Sequence, residues 1–250
     1  MKVRILGVGM GPQHVTPEVA EAIRAADYVV AAEKADDDRL LALRREILRA
    51  HPGPDGPVES VTVRDPQRDR SEALTTEGYR SAVTDWHDAR AAEYAALLQH
   101  RGGTAAFLTW GDPSLYDSTI RIVEKVRDLG VDLEYDVLPG ISAPQLLAAR
   151  HRIVLHEVGR PVHVTTGRRL QEAVAAGLDN IVAMLHPPPD RPDFTGLDDW
   201  TMWWGANLGA TGERVVTGRV GDVLPAIADA RAAAEARDGW VMDVFLVRKT

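Results

Sequence analysis

Short apolar runs that end in glycine or in charged residues open the chain. Val3–Val8 is such a run, and because it leads into the glycine-rich segment Gly7–Gly11 it predicts a buried parallel strand followed by a tight turn. Thr16–Glu18 then predicts a helix start, with a capping hydroxyl and a proline in the first turn. Asp27–Ala32 predicts a second buried strand. The order strand, turn, helix, strand is typical of an α/β domain.

The rest of the first half alternates in the same way. The pattern predicts helices over Asp36–Ala50, Glu77–Gln99 and Ser114–Leu129, and strands over Val58–Val63, Thr104–Thr109 and Asp132–Val137. Leu138–Ala143 follows the last of these strands and combines proline, glycine and serine, so it predicts a hinge between two parts of the chain.

The second half has a different pattern, in which strands follow one another more directly. Strands are predicted near Val162–Thr166, Ile181–Leu185, Thr201–Asn207, Arg214–Arg219 and Val241–Val247, and helices only over Arg168–Ala176 and Gly221–Arg237. Adjacent strands without helices between them indicate a mixed or antiparallel sheet. The sequence therefore predicts an α/β fold of two lobes, residues 1–139 with a mostly parallel sheet and residues 140–250 with a mixed sheet. We expect a ligand cleft between them.

Composition excludes several function classes. Lys and Arg number 29 and Asp and Glu number 37, giving a net charge of −8, which disfavours nucleic acid as a partner. No apolar run is long enough for a membrane span, and the first residues lack the features of a signal peptide. The lack of cysteine excludes thiolate chemistry and is compatible with a reducing compartment. His151, His156 and His163 do not have a familiar ligand spacing, so no metal site is expected.

Three segments carry candidate chemistry. The turn Gly7–Gly11 lets the backbone approach a ligand closely; it could belong to a nicotinamide site with Glu33 on the ribose, but the third glycine of that fingerprint falls at Pro12. Trp110–Tyr116 follows a strand, where Asp112 could accept hydrogen bonds from a ligand or could cap a helix. Leu138–Ala143 could lie against a planar base or could be a plain linker.

In this order and spacing, the three segments resemble the tetrapyrrole (class III) methyltransferase family over nearly the whole chain. The resemblance implies that S-adenosylmethionine binds between the two lobes. Its contacts would be Met10, Gly111, Asp112, Leu115, Ser142, Ala143, Met184, Ala206 and Met242. The chain departs from the family pattern in its first turn, which is shorter and has Pro12 where an acid or asparagine is usual.

Further stretches resemble the branch of the family that methylates precorrin-5 at C-1 and releases acetate. They are Leu43–Ile47, Val63–Pro66, Asp85–Ala89, Trp110–Thr119, Thr165–Leu170 and Trp203–Ala206. The resemblance implies a C-methyltransferase of cobalamin biosynthesis that is cytoplasmic and homodimeric. The many carboxylates of the substrate would meet Lys34, Arg64, Tyr116 and Arg168, with Arg169 a further candidate. Candidates for the base in deacetylation are Glu33, Tyr116 and His186.

Other functions stay open at this point. The same fold could methylate a different precorrin carbon, or it could bind a ligand without catalysis. In a different class, the first turn and Glu33 could serve a nicotinamide-dependent oxidoreductase.

Overall fold

The chain divides into two compact units, Met1–Ile141 and Ser142–Thr250, whereas the sequence placed the boundary after residue 139. The computed structural model describes residues 1–33, 39–66, 76–185, 192–239 and 241–249. Lys34 and His186 lie outside these residues, and Glu33 is described in its backbone alone. Within the described ranges, no helix has both the length and the apolar composition needed to cross a membrane.

The first unit alternates strands and helices along the chain. Its strands are β1 (Lys2–Gly7), β2 (Tyr28–Glu33), β3 (Glu59–Arg64), β4 (Thr104–Thr109) and β5 (Glu134–Leu138), and its helices are α1 (Pro17–Arg24), α2 (Arg39–Ala50), α3 (Thr76–Arg101) and α4 (Thr119–Asp128). A short 3₁₀ turn, Pro12–His14, precedes α1.

All five strands of the first unit are parallel, in the order β3-β2-β4-β1-β5. Alternate side chains of each strand point to opposite faces, so Ala105 and Phe107 pack with α3 and α4 while Ala106 and Leu108 pack with α1 and α2. Because both faces are covered, the inner strands β2 and β4 are mainly apolar, as buried parallel strands generally are. The carboxyl ends of β4, β1 and β5 are neighbours at one edge of this sheet.

The second unit is built around a mixed sheet. Its strands are β6 (His163–Thr166), β7 (Asn180–Met184), β8 (Thr201–Ala206), β9 (Arg214–Arg219) and β10 (Asp243–Arg248), and its helices are α5 (Ala143–His151), α6 (Leu170–Ala175) and α7 (Val220–Asp238). The order is β6-β7-β10-β8-β9, with only β6 and β7 parallel. The prediction of two α/β lobes, one with a parallel and one with a mixed sheet, is confirmed.

Two helix predictions were wrong in detail. The helix expected from Ser114 begins only at Thr119, because Tyr116 has a backbone φ of 53°, which a right-handed helix does not allow. Helix α5 was missed where a hinge was expected. Its signal was a serine followed three residues later by glutamine: Gln145 Oε1 accepts hydrogen bonds from the Ser142 amide and hydroxyl, both at 2.8 Å.

Candidate functional site

The three glycine-containing segments of the sequence meet at the carboxyl edge of the parallel sheet. Each directly follows one of the adjacent strands β1, β4 and β5, so the strand order alone brings their first residues together. Open α/β sheets bind ligands at this edge, where strand ends and helix starts leave backbone groups available. We call Gly7, Gly9, Gly111 and Gly140 the glycine junction.

A backbone bridge joins the first two segments. The Gly111 amide donates to the Gly9 carbonyl at 2.8 Å, and the Gly9 amide donates to the Gly111 carbonyl at 3.2 Å. Both residues have positive φ, 69° for Gly9 and 73° for Gly111, which L side chains rarely adopt. The requirement for glycine here is therefore conformational.

The third segment packs against the other two with no room for a side chain. A Cβ on Gly140 would lie 2.2 Å from the Gly111 carbonyl oxygen and 2.7 Å from the carbonyl carbon of Gly7. A Cβ on Gly7 would lie 2.5 Å from the Gly140 nitrogen. These neighbours are backbone atoms, which cannot move aside as a flexible side chain could. The junction is thus a close packing of main chain against main chain.

Asp112 fastens the second segment to the third. Its Oδ2 accepts from the Gly140 amide at 3.0 Å, while its Oδ1 accepts from the Ser114 amide at 2.9 Å and from the Ser114 hydroxyl. Burial pushes the pKa of the Asp112 carboxyl upward, but hydrogen bonds from the Ser114 hydroxyl, the Gly140 amide and the Ser114 amide outweigh it and leave the pKa below its ordinary value. The expectation that Asp112 could cap a helix was wrong, because the residues after it form a turn.

Two buried polar atoms lie where β4 runs into this loop. Within the described part of the chain, the Thr109 hydroxyl oxygen and the Trp110 ring nitrogen have no hydrogen-bond partner. Buried polar groups are rarely left in this state, and exceptions are frequent where water or a ligand completes the set. Their place next to Gly111 therefore favours a polar occupant at this edge.

The turn after β1 does not form a dinucleotide cradle. In that cradle the helix follows the glycines directly and offers its free amides to a pyrophosphate. Here the 3₁₀ turn Pro12–His14 intervenes, and the Thr16 hydroxyl accepts from the Val19 amide at 3.2 Å, so the start of α1 is already capped. This geometry argues against the nicotinamide hypothesis.

The remaining candidates of the first unit differ in exposure. Met10 is buried, with 4% of the residue exposed. Leu115 is partly exposed, and Tyr116 is 42% exposed at the strained position described above. Arg64 is exposed at the end of β3. These residues all follow strand ends at the same edge as the glycine junction.

In the second unit, three predicted contact residues meet at one edge of the mixed sheet. Met184 ends β7, Ala206 ends β8 and Met242 precedes β10, which runs antiparallel between those strands. Arg168 is exposed just after β6, whose end lies at the same edge. Ser142 is buried and Ala143 begins α5, as described above.

Sequence reasoning missed a group of side chains in the first unit that we call the histidine cluster: Asp65, Trp86, His87, Arg90 and Ser118. The His87 Nε2 lies 2.9 Å from the Ser118 hydroxyl oxygen, and Arg90 forms a largely buried ion pair with Asp65 at 2.7 Å. The cluster draws residues from or next to three of the stretches that resemble the precorrin-5 branch. Each stretch was noted for its similarity, but no sequence pattern showed that they are in contact.

Comparisons with known proteins agree with one another. Residues 2–224 match the family model described as tetrapyrrole (corrin/porphyrin) methylases. The chain is 42% identical over 257 residues to the precorrin-6A synthase [deacetylating] of Sinorhizobium sp, covering 99% of this chain and 95% of that protein. A protein of Corynebacterium diphtheriae described as related to cobalamin synthesis (CobF) has a similar crystal structure, with a TM-score of 0.80, 34% identity and coverage of 99% and 98% of the two chains.

A more distant structure shows the fold alone. The uroporphyrin-III C-methyltransferase of Thermus thermophilus, crystallised with S-adenosyl homocysteine, has a TM-score of 0.55 at 18% identity, over 98% of this chain and 92% of that one. The family match and the 42% identity confirm the sequence-based prediction of a tetrapyrrole methyltransferase of cobalamin biosynthesis. The chain belongs to the tetrapyrrole (corrin/porphyrin) methylase family.

Proposed function

We propose that this protein is an S-adenosylmethionine-dependent C-methyltransferase of cobalamin biosynthesis that methylates precorrin-5 at C-1, releases acetate and yields precorrin-6A. The observation that carries the proposal is the 42% identity, over nearly the full length of both chains, to a precorrin-6A synthase [deacetylating]. The structural similarity to the Corynebacterium protein supports the same pathway.

The glycine junction supports a cosubstrate site at the edge of the parallel sheet. Gly111, Leu115 and Met10 would contact the cosubstrate, and Asp112 would hold the loop that carries two of them. Among the described residues, the Thr109 hydroxyl and the Trp110 nitrogen have no hydrogen-bond partner, which favours a polar ligand in the same place. S-adenosylmethionine supplies an activated methyl group, so the protein mainly has to align that group with the acceptor carbon.

The second unit would add contacts from Ser142, Ala143, Met184, Ala206 and Met242. For the carboxylates of precorrin-5 we propose Arg64, Arg168 and Tyr116, together with Lys34 outside the described residues. Arginine pairs with carboxylates through two parallel hydrogen bonds, which suits a substrate that carries several of them.

Calorimetry tests the cosubstrate. The purified protein would be titrated with S-adenosylhomocysteine, NAD and NADP under identical conditions. We expect binding of S-adenosylhomocysteine alone. Binding of NAD without binding of S-adenosylhomocysteine would refute the proposal and revive the oxidoreductase hypothesis.

A coupled reaction tests the pathway step. The protein would receive precorrin-5 made in situ and methyl-labelled S-adenosylmethionine, and acetate, S-adenosylhomocysteine and label in the macrocycle would be measured. We expect one acetate and one new methyl group per turnover. Label in a different precorrin without acetate would instead assign the chain to another methylation of the same pathway.

We also propose that the protein is a homodimer in the cytoplasm. The family resemblance supports the dimer, and the lack of cysteine suits a reducing compartment. Light scattering of the purified protein should give twice the chain mass of 27.3 kDa. A single-chain mass at micromolar concentration would contradict the dimer.

A further inference from the structure

A serine and a histidine form a pair beside the loop that follows β4. His87 comes from α3 and is only 7% exposed, and its Nε2 lies 2.9 Å from the Ser118 Oγ. Ser118 is partly exposed and lies two residues after Tyr116 in the chain. A hydroxyl within hydrogen-bond reach of an imidazole is the arrangement by which proteins activate serine as a nucleophile.

The Ser118 hydroxyl does not cap the helix that follows it. Ser118 is the residue before the first turn of α4, where serine side chains ordinarily accept from a backbone amide of the helix. Its side chain makes no such bond, and Asp117 instead accepts from the Thr119 amide at 2.7 Å. The hydroxyl is therefore directed at His87.

The surroundings of His87 keep the imidazole neutral. Burial, together with the positive charges of Arg121, Lys125 and Arg90, lowers the pKa of His87 below its ordinary value against the smaller opposing effect of Asp88. A neutral imidazole can accept a proton from a hydroxyl, whereas an imidazolium cannot.

The rest of the histidine cluster holds α3 in place behind the pair. The Trp86 ring nitrogen donates to the Pro66 carbonyl at 3.1 Å, and the Arg90 guanidinium stacks on the Trp86 ring at 4.3 Å while it pairs with Asp65. Asp65 directly follows the end of β3. The cluster thus ties the segment after one strand end to the helix that carries His87, at the edge that holds the glycine junction.

We propose that Ser118 and His87 carry the acetate-releasing half of the reaction, with Ser118 as the nucleophile and His87 as its base. This inference rests on the proposed function, because it assigns residues to one half of that reaction. It adds a reactive group that neither Glu33, Tyr116 nor His186 supplies.

The step balances without an oxidant or reductant. The Ser118 oxygen attacks the acetyl carbonyl as its proton passes to His87 Nε2. The bond between the macrocycle carbon and the acetyl carbon then breaks, and its electron pair stays in the conjugated macrocycle, which offsets the positive charge gained with the methyl group. His87 releases that proton to solvent and then takes a second proton from the water that attacks the acetyl ester. It returns this proton to the Ser118 oxygen as the ester breaks, so the serine hydroxyl is restored and acetic acid leaves as acetate with loss of its own proton to solvent.

The first test compares two products of the coupled reaction. Wild type, Ser118→Ala and His87→Gln would be assayed with precorrin-5 and S-adenosylmethionine, and acetate and S-adenosylhomocysteine would be measured separately. The matched controls are Ser81→Ala and His100→Gln, since both residues are exposed on α3. We expect both cluster variants to lose about 100-fold or more in acetate per S-adenosylhomocysteine, and the controls to match wild type.

The outcomes separate this inference from the proposed function. If wild type makes neither product, the proposed function fails. If wild type makes both and the cluster variants lose both equally, even to no detectable turnover, the pair has no special part in deacetylation and the inference is overturned.

A second test needs no substrate. The chain contains no cysteine, so Ser118→Cys introduces a single thiol whose alkylation by iodoacetamide can be followed against pH. A thiol paired with His87 should react about tenfold faster at neutral pH than the thiol of Ser81→Cys. Adding His87→Gln should remove this advantage. A rate that does not depend on His87 would show that the two side chains do not act together and would overturn the assignment.

Discussion

The glycine junction and the histidine cluster both follow strand ends of the same parallel sheet, but they are built in opposite ways. The junction is main chain held against main chain, with distances that leave no room for a Cβ. The cluster is made of side chains, with one ion pair, one imidazole–hydroxyl contact and one cation stacked on a ring. The first should therefore be sensitive to added atoms and the second to removed ones.

The largest effect should come from adding one carbon to the junction. In Gly140→Ala the new Cβ would meet backbone atoms of Gly111 and Gly7, so the segments must separate. We expect a loss of about 3 kcal/mol in the free energy of unfolding and no measurable binding of S-adenosylhomocysteine. Chemical denaturation and calorimetry would measure these two quantities.

Gly53→Ala is the matched control. A Cβ there would have its nearest neighbour at 3.4 Å, an ordinary contact, and Gly53 is not among the residues with positive φ. We expect stability and binding close to wild type. Equal effects of the two substitutions would mean that the junction does not depend on the close approach at Gly140.

The next largest effect should come from removing charge from the cluster. Arg90→Ala leaves the Asp65 carboxylate without its partner in a setting where the two side chains are 12% and 11% exposed. We expect a loss of about 2 kcal/mol in stability, while the affinity for S-adenosylhomocysteine stays near wild type. Arg160→Ala breaks an exposed pair with Asp179 and should not change the unfolding midpoint. A large loss of affinity in Arg90→Ala would show that the two regions are not independent.

A smaller effect is expected where a side chain supports the junction. Asp112→Ala leaves the Gly140 amide without its acceptor and releases the turn at Ser114. We expect a loss of about 1 kcal/mol in stability and about tenfold weaker binding of S-adenosylhomocysteine. Asp193→Ala removes a similar turn with Thr195 in the second unit and is the control. Unchanged affinity in Asp112→Ala would limit this carboxylate to a role in folding.

The smallest effect should be a difference between His87 and Asp112 in how each makes the free energy of unfolding depend on pH. Because the pKa of His87 is lowered in the folded protein, the unfolded chain takes up protons first, and stability falls as the pH drops below about 6.5. Because the pKa of Asp112 is also lowered, its contribution is present above about pH 4 and is lost as the pH falls through its folded value.

Unfolding free energies measured from pH 3 to 7 would separate the two pH ranges in which stability is lost, the upper one from His87 and the lower one from Asp112. His87→Gln should reduce the change in stability in the upper pH range, and Asp112→Ala should reduce it in the lower pH range. His51 also has a lowered pKa, caused by burial and by Arg24, so the change in the upper pH range should not vanish completely in His87→Gln. A single pH range affected equally by both substitutions would contradict the distinction between junction and cluster.

The sequence predicted the junction better than the cluster, and the reason is physical. A glycine-rich turn after an apolar run is a local signal, and the order of parallel strands then places such turns side by side. The cluster depends on the rotation of α3 about its axis, which decides whether His87 or His100 faces inward. It also depends on the late start of α4, which the positive φ of Tyr116 imposes. Helix α5 was missed although its capping signal is local.

The position of β1 between β4 and β5 has a consequence for how the protein forms during synthesis. Lys2 pairs with Thr104 of β4 and with Glu134 of β5. Strand β1 can therefore complete its pairing only after both of those later strands have been synthesised. Contacts between residues so distant in sequence slow folding, because the entropy of closing a long loop is lost before the strand pairing contributes any stability. The first strand and its glycine turn therefore stay unpaired until β4 has left the ribosome, and the third segment can dock only after β5 has followed. Chaperones that shield nascent apolar segments should matter most during that interval.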